Sequence, residues 1–243
     1  MLTYGKPVAL WAVPRSVSTA LERVFVERED FKVFHEPFSA SYYYSPERRS
    51  DRFAGTEAKE EYGHEMILKR MLELEEEPVY FKDMAYHVAG FMSREFISRF
   101  TNTFIIREPA PVIASLNRFW PDFTLEETGY EQQYRLFEFV VENGEDPAVV
   151  DAADLMADPE GMIRAYCEKL DVEFMPEALS WEPGEVPGWE MWTQWHEEAQ
   201  DSTGIKSQPL EDGTEVPAGL EGVYESCLPY YEELHDKRLR STR

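Results

Sequence analysis

Two clusters pairing an arginine with hydroxyl side chains are the residues of this chain best suited to hold an anion. Arg15, Ser16, Val17, Ser18 and Thr19 form a short polar turn after the apolar run 8–13, and Val17, Leu21, Val24 and Phe25 then recur at helical spacing. A strand that enters a helix through such a turn makes an anion site, because the first-turn amides have no helical partner and the positive end of the helix dipole faces the turn. Arg15 adds a cation there, and Ser16, Ser18 and Thr19 add hydroxyl donors. The plainer alternative is an ordinary connection with Ser or Thr as the N-cap. In the second cluster, Arg107 directly follows the apolar run 103–106, and Ser115 lies eight positions on in the next predicted helix. Taken alone, Arg107 fits an ion pair with one of the many carboxylates equally well.

Proton-handling groups stand close to two further apolar runs. Glu36 follows 31–35 in FHEPF, and Lys82, Asp83 and His87 lie in FKDMAYH at the end of 79–84. A carboxylate or an imidazole at such a place can serve as a general base. Glu36 is the first choice, His87 the second and His35 a third. Lys82 can balance charge on a transferred group or a leaving oxygen, or it can simply pair with Asp83. Lys206 lies late in the chain, in STGIKSQP. Trp189, Trp192 and Trp195, spaced i, i+3, i+6, fit helical packing better than base stacking.

These groups need a scaffold, and the hydrophobic pattern supplies one. Strands are predicted at 8–13, 31–35, 79–84, 103–106 and 148–151. Helices are predicted from Val17 onward and at 56–76, 88–100, 111–119, 130–143, 159–170 (with Asp158 as its cap) and 220–239. Met66, Ile67, Met71, Leu72 and Leu74 form the expected apolar stripe of the 56–76 helix. The alternation predicts an α/β fold, a parallel central sheet of about five strands flanked by helices. Ligands of such sheets sit outside the carboxyl ends of the strands. The turn 14–19, His35–Glu36, residues 83–87 and Arg107 would then share one rim. Segment 39–55, with Tyr42, Tyr43, Tyr44, Arg48, Arg49 and Arg52, reads as a lid or substrate loop. Segment 173–200 reads as irregular, with a short helix near 190–199. No internal repeat or low-complexity linker interrupts the chain, so a single domain over 1–243 is expected.

Composition narrows the partners. The chain has 243 residues, 43% of them hydrophobic and 14% aromatic, and a formal net charge of −24. That charge opposes binding to nucleic acid or to an anionic membrane surface, and any phosphate site must act through local geometry against the long-range field. No apolar run is long enough for a membrane span and no secretory signal pattern opens the chain. Cys167 and Cys227 give no disulfide or metal-ligand spacing, so no metal is expected and a reducing cytoplasm is the default. Nothing in the pattern fixes an oligomeric state.

The turn 14–19, PRSVST, contains no glycine, which argues against the GxxxxGK[ST] loop and the GxGxxG turn. It resembles instead the 5′-phosphosulfate loop of the sulfotransferases that use 3′-phosphoadenosine-5′-phosphosulfate (PAPS). Arg107-Glu108-Pro109 through Ser115 is similar to that family's 3′-phosphate motif, R-x-P-x(5)-S. Residues 149–170, VVDAADLMADPEGMIRAYCEKL, are similar to its strand, DP turn and following helix. The matches span about residues 5–172. The resemblance implies a P-loop-kinase-like sulfotransferase fold with a helical and irregular C-terminal part. It implies PAPS as donor, 3′,5′-adenosine bisphosphate as product and a small-molecule acceptor hydroxyl or amine. It assigns the nucleotide to Arg15, Ser16, Val17, Ser18, Thr19, Arg107 and Ser115, with Lys206 closing over it, and the chemistry to Glu36 or His87 together with Lys82. His87 departs from the family pattern, standing five residues after Lys82 where the cytosolic branch places its histidine two after the lysine. Sulfuryl transfer resembles phosphoryl transfer in asking the protein mainly for positioning and charge stabilisation. The tyrosine-rich and tryptophan-rich segments suit an apolar or aromatic alcohol. A small-molecule kinase and a non-catalytic nucleotide-binding module are the alternative readings.

Overall fold

A computed structural model describes residues 5–73, 77–189, 195, 199–208, 210 and 213–241. Five strands form one sheet, β1 Val8–Ala12, β2 Lys32–His35, β3 Val79–Met84, β4 Thr101–Ile106 and β5 Ala148–Asp151, in the order β2-β3-β1-β4-β5. Every pairing is parallel. β1 is central, with Leu10 opposite Lys82 on one side and Thr103 on the other. All its residues are buried, as a strand covered on both faces requires.

The two faces carry separate cores. Ala9 and Trp11 of β1 point to one side, packing with Phe81, Phe96, Phe100 and Phe104. Helices α3 His64–Leu72, α4 Arg94–Ile97, α6 Tyr130–Glu142 and α9 Glu221–Asp236 contribute apolar side chains to this side. Val8, Leu10 and Ala12 point to the other, against α1 Ser18–Glu27, α7 Ala152–Ala157 and α8 Pro159–Leu170. The indole N–H of buried Trp11 donates to Asn102 Oδ1 at 2.8 Å, so the largest core side chain leaves no buried polar group stranded. The helices α2 Ser39–Tyr44 and α5 Pro109–Phe119 complete the set among the described residues.

Several expectations need correction. The helix foreseen at 56–76 starts only at His64, because Gly63 interrupts it after the 3₁₀ turn Glu60–Tyr62. Its buried face is Ile67, Leu68 and Met71, while Met66 and Leu72 are exposed; Leu74 lies outside the described residues. The helix foreseen at 88–100 is a 3₁₀ turn, Ala85–Val88, followed by the single turn α4, which Ser93 caps by accepting from Phe96 N at 3.1 Å. Segment 39–55 is not one open loop. Its first part is α2, with Tyr42 and Tyr43 buried. The short helix expected at 190–199, with Trp192, falls mostly outside the described residues. Asp158 caps α8 as foreseen, accepting from Gly161 N at 3.1 Å. No helix among the described residues is long and apolar enough to cross a membrane.

Candidate functional site

The loop leaving β1 takes a conformation its residues do not favour. Arg15 has φ 58° and Val17 φ 65°, both left-handed, and Val17 is β-branched. Val17 was expected to open the helical stripe. It stands instead at the N-cap, with α1 beginning at Ser18. Its carbonyl accepts from Ala20 N (3.0 Å) and Leu21 N (3.3 Å), and no side chain caps the first turn. The plain Ser/Thr-cap alternative is therefore not what forms. Ser16 Oγ donates to Val13 O at 2.7 Å, tying the loop to the strand it leaves. Alternating left-handed residues curl the backbone so that successive amides face one concavity, an arrangement that suits anions.

Arg107 meets this loop from the end of β4. Its Nη1 donates to the Arg15 carbonyl at 2.5 Å, and its own carbonyl accepts from Tyr130 Oη at 2.8 Å. Its Nε is buried and has no hydrogen-bond partner among the described residues. Burial pushes the guanidinium pKa down, and the Arg15 charge works in the same direction. Two cations brought this close with a donor left over form a site that an anion would stabilise. Gln133 Nε2 bridges the carbonyls of Trp11 and Ile105, both at 2.9 Å, which fixes the two strand ends relative to one another.

A cavity of about 890 Å³ opens over these strand ends. Arg15, Ser16, Val17, Ser18 and Thr19 line it, together with Arg107 and Ser115. Lys206 lines it from a strap formed by residues 199–208, its Nζ donating to Thr203 Oγ1 at 2.7 Å. The strap is pinned by an antiparallel bridge between Ser180 and Gly204 and by Gln208 N donating to Met156 O at 2.8 Å. Gly204 has φ 144°, and a Cβ there would stand 2.6 Å from the Leu179 carbonyl oxygen, so only glycine fits without moving the strap.

A family model described as a sulfotransferase domain matches residues 6–238. The chain belongs to the sulfotransferase-domain family. Two curated Arabidopsis thaliana proteins, branched-chain-amino-acid aminotransferase-like proteins 2 and 1, are 29% and 28% identical over 241 and 227 residues. Each alignment covers 92% of this chain but only 40% of the relative, so the chain spans about two-fifths of their length. Among solved structures, the sulfotransferase domain from the curacin biosynthetic pathway aligns with a TM-score of 0.54 at 13% identity. That alignment covers 96% of this chain and 98% of that one, a likeness of fold. Family and fold together support sulfotransferase activity in general.

Within this sulfotransferase domain the proton-handling candidates separate into two pairs. Glu36 lines the cavity with φ 42°, and Lys82 Nζ donates to its Oε1 at 2.5 Å. Lys82 is fully buried behind Glu36 and pairs with it, so the alternative reading of Lys82 as a simple partner of Asp83 is not what forms. His35 ends β2 with Nδ1 against Glu22 at 2.8 Å and Nε2 3.6 Å from Glu36 Oε1. His87 also lines the cavity, and its Nδ1 lies 2.6 Å from Asp83 Oδ1. Asp83 further accepts from Phe38 N (2.6 Å) and Met84 N (2.8 Å), which commits it to the acceptor role and assigns the imidazole proton to Nδ1. Burial holds the Asp83 carboxyl pKa above its ordinary value, with His87 opposing only part of that shift. His87 Nε2 is buried with no hydrogen-bond partner among the described residues, leaving its lone pair available.

The sequence reading missed what surrounds the imidazole. The rings of Tyr86, Tyr42 and Tyr43 lie 4.4, 5.4 and 5.6 Å from it. Tyr43, Tyr86, Met84 and Trp120 form the neighbouring cavity wall. The i, i+4 spacing of Asp83 and His87 was the available signal for the pair. Nothing in the sequence pointed to Arg23 or Trp120, which also line the cavity. Trp195 lines it as well, whereas Trp189 is buried 5.8 Å from His35.

Proposed function

We propose that this sulfotransferase domain moves the sulfuryl group of PAPS to the hydroxyl of a small, largely apolar or aromatic acceptor. The observation that carries the reading is the meeting of Arg107 with the β1–α1 loop at the mouth of one cavity. A doubly phosphorylated nucleotide needs two anion-binding groups. The uncapped α1 turn with its hydroxyls and the buried Arg107 with an unused Nε supply two that fit. In this reading Arg15, the α1 amides and the hydroxyls of Ser16, Ser18 and Thr19 hold the 5′ phosphosulfate, with Val17 giving the loop its curl. Arg107 and Ser115 hold the 3′-phosphate, and Lys206 covers the nucleotide from the strap.

PAPS, when bound, supplies the sulfuryl group and a phosphate oxygen as leaving group. His87 takes the acceptor proton at Nε2 while Asp83 holds the opposite N–H and steadies the imidazolium that forms. Glu36, already paired with Lys82, contributes a fixed carboxylate–ammonium pair at the cavity wall. Glu36 already accepts from Lys82, whereas His87 Nε2 has no hydrogen-bond partner among the described residues, which makes His87 the better-placed base. The tyrosine and tryptophan wall beside His87 offers rings where a carbohydrate would need many polar partners.

Thermal stabilisation by 3′,5′-adenosine bisphosphate, ATP with magnesium, and AMP tests the reading. The bisphosphate shifts the melting temperature well beyond the other two, and Arg107→Ala abolishes that shift. A larger response to ATP with magnesium indicates a kinase and overturns it. Bisphosphate binding without sulfuryl transfer to any phenol or alcohol would leave a nucleotide-binding module.

A further inference from the structure

Arg52 lies outside the cavity lining, yet its whole side chain is engaged behind it. Its Nε and Nη2 donate to the two oxygens of Glu127 at 3.1 and 3.0 Å, and its Nη1 donates to Asp122 at 2.8 Å. Glu127 is only 2% exposed and also accepts from Thr124 N at 2.8 Å. The guanidinium stands over the Trp120 indole, with Cζ 4.2 Å from the ring centroid. Trp120 in turn lines the cavity, edge-on to Tyr43 at 6.3 Å and to Trp195 at 4.9 Å. A single planar cation thus ties the segment after α2 to the segment after α5 and backs the ring that closes the wall between them.

We propose that Arg52 is a positioning residue for acceptor selection, holding Trp120 as the panel that sets the width of the cavity beside His87. This rests on the sulfotransferase reading for what enters the cavity, but not for the placement of Trp120. Trp120 sits where α5 has ended, at φ −133° and ψ 76°; its N–H still donates to Leu116 O at 2.7 Å, so the backbone is anchored and the indole is placed by what packs against it. A guanidinium suits this place and an ammonium does not: only the planar fork can stack on the indole and grip both oxygens of Glu127 at once. Released from Arg52, the indole would widen the cavity beside His87, whereas Arg15 keeps its own hold on the Trp195 carbonyl, to which Nη1 donates at 3.3 Å.

The test compares Arg52→Lys, the charge-free pair Arg52→Gln/Glu127→Gln, and each combined with Trp120→Phe. The paired variant removes the buried carboxylate along with its partner, so it folds without an orphaned charge. Two readouts are taken: acrylamide quenching of Trp120, obtained by difference from the Trp120→Phe background, and turnover of phenol and 2-naphthol. Expected are a rise of about twofold or more in Trp120 quenching and a roughly tenfold higher KM for phenol with kcat within twofold. 2-Naphthol should gain relative to phenol, and bisphosphate affinity should not change. In the Trp120→Phe background the Arg52 substitutions should add little, because both act on one panel. Unchanged quenching, or effects that add fully to those of Trp120→Phe, overturns the proposal. Should the wild-type chain transfer no sulfuryl group, quenching and equilibrium binding of the two phenols still decide the role of Arg52, and only the functional reading falls.

Discussion

The two ends of the cavity are built by opposite means. The proposed nucleotide end is made of backbone and a cation with a donor to spare: an uncapped helix turn, two left-handed residues and an Arg107 whose Nε has no partner among the described residues. The proposed acceptor end, His87 Nε2 apart, is made of side chains already paired. Tyr42 Oη donates to Glu126 at 2.9 Å, Arg49 grips the same carboxylate at 2.7 Å, and Arg52 occupies Glu127 and Asp122. One end waits for a charge that it cannot supply itself. The other has settled its charges internally and presents rings. Specificity for a polyanion can rest on unfilled donors held in a fixed frame, whereas specificity for an apolar acceptor rests on shape, and shape needs walls that do not move.

That contrast can be broken from either side. The largest effect is expected for His87→Ala, which should lower the single-turnover rate about 10²–10⁴-fold and leave bisphosphate affinity within twofold. Glu36→Gln measured beside it should cost less. If Glu36→Gln loses the chemical step and His87→Ala keeps it, the base is the carboxylate. Arg107→Lys keeps the charge but loses the planar fork, and bisphosphate affinity measured by calorimetry should fall about 10–100-fold with acceptor KM unchanged. Gly204→Ala forces the strap off Leu179 and should weaken nucleotide binding about tenfold, with only a modest drop in melting temperature.

Salt should separate the two ends further. With a net charge of −24, the protein's field opposes an incoming polyanion. Screening relieves that repulsion, so the association rate of the bisphosphate in stopped flow should rise a few-fold between low and physiological ionic strength, while binding of a neutral phenol stays flat. The smallest effect belongs to Val17→Gly. Relief of left-handed strain outweighs the added unfolded-state entropy, and stability in urea should rise by about 1 kcal/mol.

The proposed nucleotide end was readable because its parts are local. A strand, a turn and a helix start are contiguous, so Arg15–Thr19 could be singled out from residue order, whereas Arg107 with Ser115 stood out through the resemblance to the R-x-P-x(5)-S motif; all of them line the cavity. The strands were equally legible: β3 and β5 lie where the strand–helix alternation placed them, each opening on apolar residues, Val79-Tyr80-Phe81 and Ala148-Val149-Val150, as a strand covered on both faces requires. The helices at 56–76 and 88–100 were overdrawn because Gly63 and the Ser93 cap outweighed a helical composition. Pairing Lys82 with its neighbour Asp83 was the plain alternative, but successive strand side chains point to opposite faces, and the fold gives Lys82 to Glu36 and Asp83 to His87.

The order of residues by itself determined the α/β alternation, the polar turn after the first strand and the arginine after the fourth, and the i, i+4 spacing of Asp83 and His87 carried their pairing, since each depends on neighbours a few positions apart. Tertiary structure alone decided that Lys82 meets Glu36, that Tyr42 and Tyr43 reach the His87 ring, and that Arg52 backs Trp120. Those contacts join segments tens of residues apart, and side-chain pairing over such separations is set by how the elements pack together, which no local pattern encodes.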